Sequence, residues 1–328
     1  GTLDIQKLYY GAVEGMVRAA GDPYTVFADP DATKQFSETL SGSFSGIGVE
    51  IGLQNGVITV IAPLAGSPAD KAGLKTKDVI IAVDKKPITT DASLDEVVRK
   101  IRGPKGSEVT LTVFHEGSKE PVDLTIKRDT IEVESVMLRI EEGIAHLTVT
   151  NFRSATTTAF NNAIRELQRA KAKGVLLDLR SNPGGFLESA VEISSRFLPE
   201  DALVVSEKGK ENEDFKSKGS HPLVDLPTVV LVDGGSASAS EIVAGALGDI
   251  RHTPIVGTKT FGKGSVQEFI KLKDGSSLRV TVAKWFTPSG QSINEQGIAP
   301  TIEMKNDPAT DTDEVLDRAR AELKTLIK

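Results

Sequence analysis

Between residues 143 and 260 the chain alternates strand-like and helix-like segments, and this alternation constrains the fold more than any other feature. Each apolar or alternating run is followed by a stretch with helical spacing of its apolar residues. The runs VLLDLR (residues 175–180) and PTVVLVDGG (residues 227–235) are apolar almost throughout, which is typical of strands buried on both faces. The pattern therefore predicts an α/β domain with a mainly parallel sheet and helices packed against it.

Two other segments precede this domain. Residues 1–42 contain two short helical patterns, too small for a domain, and are interpreted as a helical arm, a cap or an oligomer contact. Residues 43–128 contain several short strands and two helices, enough for a compact module with its own core. We therefore expect an arm at 1–42, a small domain at 43–128, and a core at 129–328 that ends in an amphipathic helix.

Composition excludes several classes of protein. The 328-residue chain has a formal net charge of −7, so no broad basic surface for nucleic acid is expected. It has no cysteine, which excludes disulfides, thiolate metal sites and cysteine nucleophiles, and its four histidines lack metal-ligand spacing. No apolar run reaches the roughly 18 residues of a membrane span. The chain starts at Gly1 without a signal peptide, so we interpret it as a trimmed or processed chain from which a targeting signal is missing.

The stretch GTKTFGKGS (residues 257–265) resembles a phosphate-binding loop. Gly257, Gly262 and Lys263 match the pattern G-x-x-x-x-G-K-[ST], but Gly264 occupies the position of the metal-binding hydroxyl. The following residues alternate like a strand, whereas a phosphate loop needs a helix start there. Lys263 is therefore either a surface lysine in a glycine-rich turn or a desolvated one. Because burial lowers the pKa of a lysine, a desolvated amine could serve as a general base.

The stretch DGGSASASEIVAGAL (residues 233–247) offers hydroxyl groups at a strand-to-helix turn. Such a turn exposes a side chain at the sheet edge, and the amides at the helix start could stabilise an oxyanion. Helix capping is the alternative, because Ser238 and Glu241 fit the capping-box pattern S-x-x-E. Spacing alone does not choose among Ser236, Ser238 and Ser240.

A second strand-to-helix turn lies in DLRSNPGGFLESA (residues 178–190). Its two adjacent glycines allow close backbone approach and leave amide donors available. The alternative is an ordinary turn between a strand and a helix.

Together with GIGVEI (residues 46–51), these stretches resemble the motifs of the carboxyl-terminal processing peptidases, also called tail-specific proteases. SASASE, FGKGSVQ, LRSNPGG and GIGVEI occur in that family's order, and the resemblance covers almost the whole chain. It implies a core with the crotonase/Clp-protease type of α/β fold, an inserted, permuted PDZ-like domain at 43–128, and helical arms at both ends.

The resemblance also implies a role for each catalytic group. Ser238 would be the nucleophile, Lys263 its general base, and Gln267 the side chain that orients the lysine amine. If 263–267 is a strand, Lys263 and Gln267 share one face. The implied oxyanion donors are the backbone amides of Ala239 and of Gly184 or Gly185.

In the PDZ-like domain, the resemblance implies that GIGV is the loop that binds a terminal carboxylate, with a peptide strand added to the sheet edge. This loop comprises Gly46, Ile47, Gly48 and Val49. The alternative is a simple glycine turn of a hairpin. Arg102 is interpreted first as a solvated residue at a helix C-terminus, and alternatively as a sensor of bound substrate that signals to the core.

The implied function is a serine endopeptidase that cleaves proteins near their C-termini through an acyl-enzyme, needing no metal or cofactor. The PDZ-like domain would recruit apolar C-terminal tails or control the protease activity in response to them. One alternative is a non-enzymatic PDZ adaptor with an inactive protease core. Another is a Ser-His-Asp hydrolase in which His252 pairs with Asp178 or Asp233, although no G-x-S-x-G motif is present.

The resemblance further implies partners and a location. We expect protein or peptide substrates with apolar C-termini, a homo-oligomer (a dimer or larger) and a regulatory protein partner, but no nucleic acid and no membrane span in this chain. An extracytoplasmic location follows from the family, in the periplasm or on the cell-envelope side of the membrane.

Overall fold

A computed structural model describes residues 3–327 except 42, 55, 65, 90, 91, 93, 133, 308 and 311. The chain forms two compact units, one of Gly1–Gly42 with Glu134–Lys328 and the other of Ser43–Val133. Numbered along the chain, the helices are α1 (Ile5–Arg18), α2 (Pro30–Ser41), α3 (Pro68–Lys71), α4 (Leu94–Ile101), α5 (Thr156–Arg169), α6 (Leu187–Phe197), α7 (Ala239–Arg251) and α8 (Glu314–Leu326).

The strands are β1 (Val26–Ala28), β2 (Ser43–Gly46), β3 (Val49–Gln54), β4 (Val57–Pro63), β5 (Val79–Val83), β6 (Lys86–Pro87), β7 (Glu108–Phe114), β8 (Val122–Lys127), β9 (Asp129–Glu132), β10 (Val136–Glu141), β11 (Ile144–Val149), β12 (Gly174–Asp178), β13 (Leu203–Gly209), β14 (Asn212–Lys216), β15 (Thr228–Val232), β16 (Ile255–Gly257), β17 (Ser265–Lys271), β18 (Ser277–Phe286) and β19 (Ile302–Glu303).

The first unit is built on a sheet with the strand order β10-β11-β12-β15-β16-β19. Strands β11 to β19 of this sheet run parallel, and β10 pairs antiparallel at the edge. Helices α5, α6 and α7 contribute to the core on one face, which includes Leu177, whereas α8 packs on the other face with Leu176. Both faces of β12 are therefore buried, which explains its continuous apolar run, and the predicted α/β class is confirmed.

Two strand-to-helix turns meet at one edge of this sheet. Strand β12 ends at Asp178 and leads into α6, and the neighbouring parallel strand β15 ends at Val232 and leads into α7. Because the carboxyl ends of parallel strands point to the same edge, the glycine turn and the serine turn lie side by side.

The second sheet of the first unit has the order β1-β18-β13-β14, with β17 also paired to β18. The pair Asp274-Gly275, a sequence typical of a hairpin turn, lies between β17 and β18, and Lys271 pairs with Ser277 across it. The short strand β1 was not predicted. It pairs Val26 with Arg279 and so attaches the N-terminal segment to this sheet.

One expectation was wrong. The polar composition of residues 209–220 (GKENEDFKSKGS) predicts a surface loop, but residues 212–216 form β14, antiparallel to β13. Phe215 packs edge-on against Trp285 with ring centroids 5.8 Å apart, and Ser206 Oγ donates to Asp214 at 2.6 Å. An edge strand with one solvated face carries little hydrophobicity, so its composition resembles that of a loop.

The second unit contains the strand pair β2-β9 and a sheet with the order β3-β4-β5-β7-β8, to which β6 adds beside β5. It has a hydrophobic core of its own, which includes Val60, Val97 and Leu111. Strands β3 and β4 flank the pair Asn55-Gly56, a sequence typical of a tight turn, and Gln54 pairs with Val57. Asn55 itself lies outside the described residues.

In the part of the chain that the structure describes, no helix combines the length and the apolar character needed to cross a membrane.

Candidate active site

Ser238 lies at the turn between β15 and α7, immediately before the first helical residue. Its backbone has φ 54° and ψ −112°, an unfavourable conformation for a residue with a side chain. The turn is held by its own hydrogen bonds, because the Ser238 carbonyl accepts from the amides of Glu241 (2.9 Å) and Ile242 (3.0 Å). Backbone strain of this kind often accompanies functional sites.

Glu241 joins the serine turn to the lysine segment. Its carboxylate is fully buried and accepts hydrogen bonds from Thr260 Oγ1 and Gly262 N, both at 2.6 Å. It also accepts from Ser238 N at 2.8 Å and from Lys263 N at 2.9 Å. The sequence pattern S-x-x-E predicts only a helix-capping role for Glu241. The structure shows that one carboxylate holds the backbones of both proposed catalytic residues.

Lys263 faces the same cavity as Ser238. The cavity has a volume of about 470 Å³ and is mostly apolar, with walls that include Phe186, Ile242 and Trp285. Burial, and after it the positive charge of Arg279, lowers the pKa of the Lys263 amine below its usual value. Among the described residues, no hydrogen bond or ion pair engages Lys263 Nζ.

The phosphate-loop interpretation has no support in the structure. Residues 265–271 form a strand, so no helix start faces Lys263. Gly264 serves packing, because a Cβ there would overlap the backbone of Asn294. The missing hydroxyl of the phosphate-loop pattern is thus explained by a close backbone contact.

Gln267 also lines the cavity, but its side-chain amide donates to the Tyr24 carbonyl. The strand that carries it has a register shift between Val266 and Gln267, so simple alternation from Lys263 does not hold. Ser265 lines the cavity as well, and its buried hydroxyl has no hydrogen-bond partner among the described residues. If residues 263–267 formed a regular strand, Ser265 would share the face of Lys263 and Gln267, but no motif in the sequence predicts a role for it.

The predicted oxyanion donors lie next to the serine. A Cβ on Gly184 would come within 2.8 Å of Ser238 Cβ and 2.9 Å of Ala239 N. The Gly184 amide already donates to Asn182 Oδ1 at 2.9 Å, whereas no bond among the described residues engages the Gly185 amide. Ala239 begins α7, where amides have no partner within the helix. The donor geometry therefore favours Ala239 with Gly185.

The histidine alternative is wrong for this site, because none of the described residues that line the cavity is a histidine. His252 caps the far end of α7, about 20 Å from Ser238 at 1.5 Å per helical residue. Asp178 pairs with His146 at 3.0 Å and with Arg180 at 2.7 Å, outside the cavity.

The second unit contains a cavity of about 150 Å³ between the start of β3 and α4. All four residues of the predicted carboxylate loop line it: Gly46, Ile47, Gly48 and Val49. The remaining lining residues are Ile51, Val98, Ile101 and Arg102. The structure therefore brings the predicted loop and Arg102 together around one small, mainly apolar cavity.

Comparisons with known proteins agree with these features. Residues 143–304 match peptidase family S41, and residues 45–126 match the PDZ domain. The chain is 38% identical over 309 residues to the carboxy-terminal processing protease CtpB of Bacillus subtilis, an alignment that covers 92% of this chain and 64% of that protein. It is 40% identical over 306 residues to the carboxy-terminal-processing protease of Bartonella bacilliformis, covering 91% of this chain and 70% of that protein.

Among solved structures, the photosystem II D1 C-terminal processing protease aligns with a TM-score of 0.59 and 29% identity, over 97% of this chain and 87% of that one. The PDZ domain and the predicted fold class are thereby confirmed. The chain spans slightly less than two thirds of the length of the B. subtilis relative.

Proposed function

The chain belongs to the carboxy-terminal processing proteases of peptidase family S41, and on that premise we propose that it is a serine endopeptidase that cleaves proteins near their C-termini. One observation carries the proposal: Ser238 and Lys263 line one largely apolar cavity, and the Glu241 carboxylate binds both of their backbone amides. The family relationship and the intact serine–lysine pair favour an enzyme over a PDZ adaptor with an inactive core.

The proposed mechanism begins with the uncharged amine of Lys263. It removes the proton from Ser238 Oγ, and the oxygen attacks the carbonyl carbon of the scissile peptide bond. The amides of Ala239 and Gly185 stabilise the negative oxygen of the tetrahedral intermediate. The protonated lysine then supplies the proton that the leaving amine needs. Water, activated by the same amine, releases the acyl group and restores Ser238.

We assign Gln267 to the orientation of the Lys263 amine. Both side chains line the cavity, which supports the assignment. In the present arrangement the Gln267 amide is bound to Tyr24, so this role requires its carbonyl oxygen, or a rotated side chain, to face Lys263 when substrate is bound.

We propose that the PDZ domain recruits apolar C-terminal tails. The loop from Gly46 to Val49 would bind the terminal carboxylate through backbone amides, and Ile51, Val98 and Ile101 would contact the last apolar side chain. Arg102, at the rim of this lining, is either a helix-end residue or the sensor of an occupied cavity.

The remaining assignments follow from the family. We propose an extracytoplasmic location, a regulatory protein partner, and the division into an arm at 1–42, a PDZ domain at 43–128 and a protease core at 129–328. Self-association through α1 is supported by its surface, because none of its residues is buried and its exposed apolar side chains include Ile5, Leu8 and Met16.

A protease assay tests the central proposal. The unaltered chain should cleave casein and a peptide with an apolar C-terminus, whereas Ser238→Ala and Lys263→Ala should each lose about a thousandfold or more in kcat. His252→Ala serves as the control and should keep its activity. If the Ser238 and Lys263 variants cleave as fast as the unaltered chain, the proposal is wrong. Tail binding without any cleavage would favour the adaptor.

A further inference from the structure

Arg279, on β18, lies in the same cavity as Lys263 and Ser238. Its guanidinium carbon is 4.2 Å from the centre of the Phe36 ring, and Phe36 stacks on Phe269 with ring centroids 5.8 Å apart. Strand pairing places Arg279 directly opposite Phe269. The guanidinium is therefore held by an aromatic surface at the wall of the cavity, instead of extending into solvent.

The charge of Arg279 is not neutralised by a neighbour. Among the described residues, no carboxylate lies within 4 Å of its guanidinium. The burial of Arg279 lowers its pKa below the usual value, but an arginine remains charged at any pH at which an enzyme works. An unpaired and partly buried cation beside a lysine is costly, so it needs an explanation.

Three other ionisable residues lie near Lys263 from the elements packed around it. Glu207, on β13, lines the cavity, but burial, and next the charge of Glu213, raises the pKa of its carboxyl. The carboxylate of Glu241, on α7, accepts hydrogen bonds from Thr260 Oγ1 and Gly262 N. Tyr24 presents its ring to Lys263 Nζ at 6.0 Å, the outer limit for attraction between an aromatic ring and a cation. After burial, Arg279 is the charged group that lowers the pKa of the Lys263 amine.

We propose that Arg279 is a positioning residue that keeps the Lys263 amine uncharged by placing a fixed positive charge in the same cavity. This inference rests on the proposed role of Lys263 as general base. Protonation of the amine would put two cations in one apolar cavity, where charges interact more strongly than in water. The positive neighbour therefore favours the form of the lysine that can accept a proton from Ser238.

The test is the dependence of kcat/KM on pH for a series of charges at position 279. Arg279→Lys keeps the charge and should leave the acid limb of the profile near its original pH. Arg279→Gln should move that limb upward by about half a pH unit or more, a roughly threefold or greater loss on the acid side. Arg279→Glu should move it further. At two pH units above the acid limb, the kcat/KM of Arg279→Gln should be close to that of the unaltered chain.

A matched control removes a positive charge elsewhere in the same sheet. Lys271 is exposed at the end of β17 and does not line the cavity. Lys271→Gln should leave the limb in place. A loss of rate in Arg279→Gln that is equal at every pH would indicate a purely structural role and would overturn the inference.

A direct titration separates this inference from the proposed function. The Lys263 side-chain resonance of lysine labelled with ¹³C at Cε can be followed against pH in Ser238→Ala, with and without Arg279→Gln. Lys263 should titrate at higher pH without Arg279, even if the chain cleaves nothing. Identical titration in both proteins would overturn the inference while leaving a Ser238-dependent protease activity intact. The same measurement decides the matter if Arg279→Gln proves inactive at every pH.

Discussion

At the scale of single residues, the site depends on a buried carboxylate as much as on the groups that would react. Glu241 accepts four hydrogen bonds, two for each oxygen, from the serine turn and the lysine segment. Hydrogen bonds to a charged acceptor are the stronger kind, and a lost partner leaves buried donors unsatisfied. The separation between Ser238 and Lys263 is therefore controlled by a residue that need not touch substrate.

Glu241→Gln tests this arrangement. An amide offers one acceptor oxygen in place of two, so at least one pair of donors loses its partner. We expect about 2–3 kcal/mol less free energy of unfolding and a kcat at least about tenfold lower, with a smaller change in KM. Denaturant unfolding and steady-state kinetics measure both. Glu188→Gln is the matched control: Glu188 is exposed in the first turn of α6 and should change stability by less than about 0.5 kcal/mol. Equal effects in the two variants would contradict the proposed role.

Asp178 makes stability depend on pH. Burial alone would raise its pKa, but hydrogen bonds from His146 and Arg180 outweigh that effect and hold the pKa at about 2, below the usual 3.8. Because the folded-state pKa is depressed, the stabilisation is complete above the unfolded pKa and is lost as pH falls through the folded value.

The difference in unfolding free energy between the unaltered chain and Asp178→Asn should therefore become smaller in acid. The gap in unfolding free energy should be constant above about pH 5 and shrink by about 2 kcal/mol between pH 4 and pH 2. Urea unfolding at a series of pH values measures it. A gap that is the same at pH 2 and pH 6 would show that the pKa of Asp178 is not depressed.

At the scale of elements, two neighbouring turns form the site, and they differ in where glycine is required. Gly185 has φ 147°, and a Cβ there would overlap the Phe152 carbonyl. Gly234, in the adjacent turn after β15, has no neighbouring atom within 4 Å of where a Cβ would lie. Glycine is thus required at position 185, because its backbone lies against another segment, whereas no neighbouring atom requires glycine at position 234.

A pair of alanine substitutions tests the difference between the turns. Gly185→Ala must displace backbone, so we expect a loss of about 2–4 kcal/mol in stability and at least about a tenfold loss of kcat, as the proposed oxyanion donor moves. Gly234→Ala should stay within about 0.5 kcal/mol of the unaltered chain. Thermal unfolding and peptidase assays report both. Equal tolerance at the two positions would refute the contact-based argument.

At the scale of the whole molecule, the two units have separate cores, and each contains a cavity lined by predicted site residues. The cavity of the first unit is lined by Ser238 and Lys263, the proposed reactive groups, and the cavity of the PDZ domain is small, mainly apolar and bordered by a glycine loop. A chain organised in this way can separate recognition of a tail from cleavage of a peptide bond.

Tail binding can be measured in the full chain with Ser238→Ala. A peptide with an apolar last residue and a free carboxylate should bind, and amidation of its C-terminus should weaken binding by about tenfold or more. Val98→Asp, in the PDZ cavity, should weaken it similarly because it buries a charge. Val122→Asp, on the exposed edge strand β8, is the control. Unchanged affinity in Val98→Asp would place the tail elsewhere.

Local patterns in the sequence determined much of this protein. Buried strands, helix spacing and glycine turns identified the layered α/β core, and the motifs around Ser238 and Lys263 identified the family, because each depends on residues close together along the chain. Only the tertiary structure revealed the carboxylate of Glu241 between the two segments, Arg279 beside the lysine, the contact of Gln267 with Tyr24, and β14 as a strand. These features arise from the pairing of distant segments, and hydrophobic periodicity within one segment carries no information about which distant segment will lie against it.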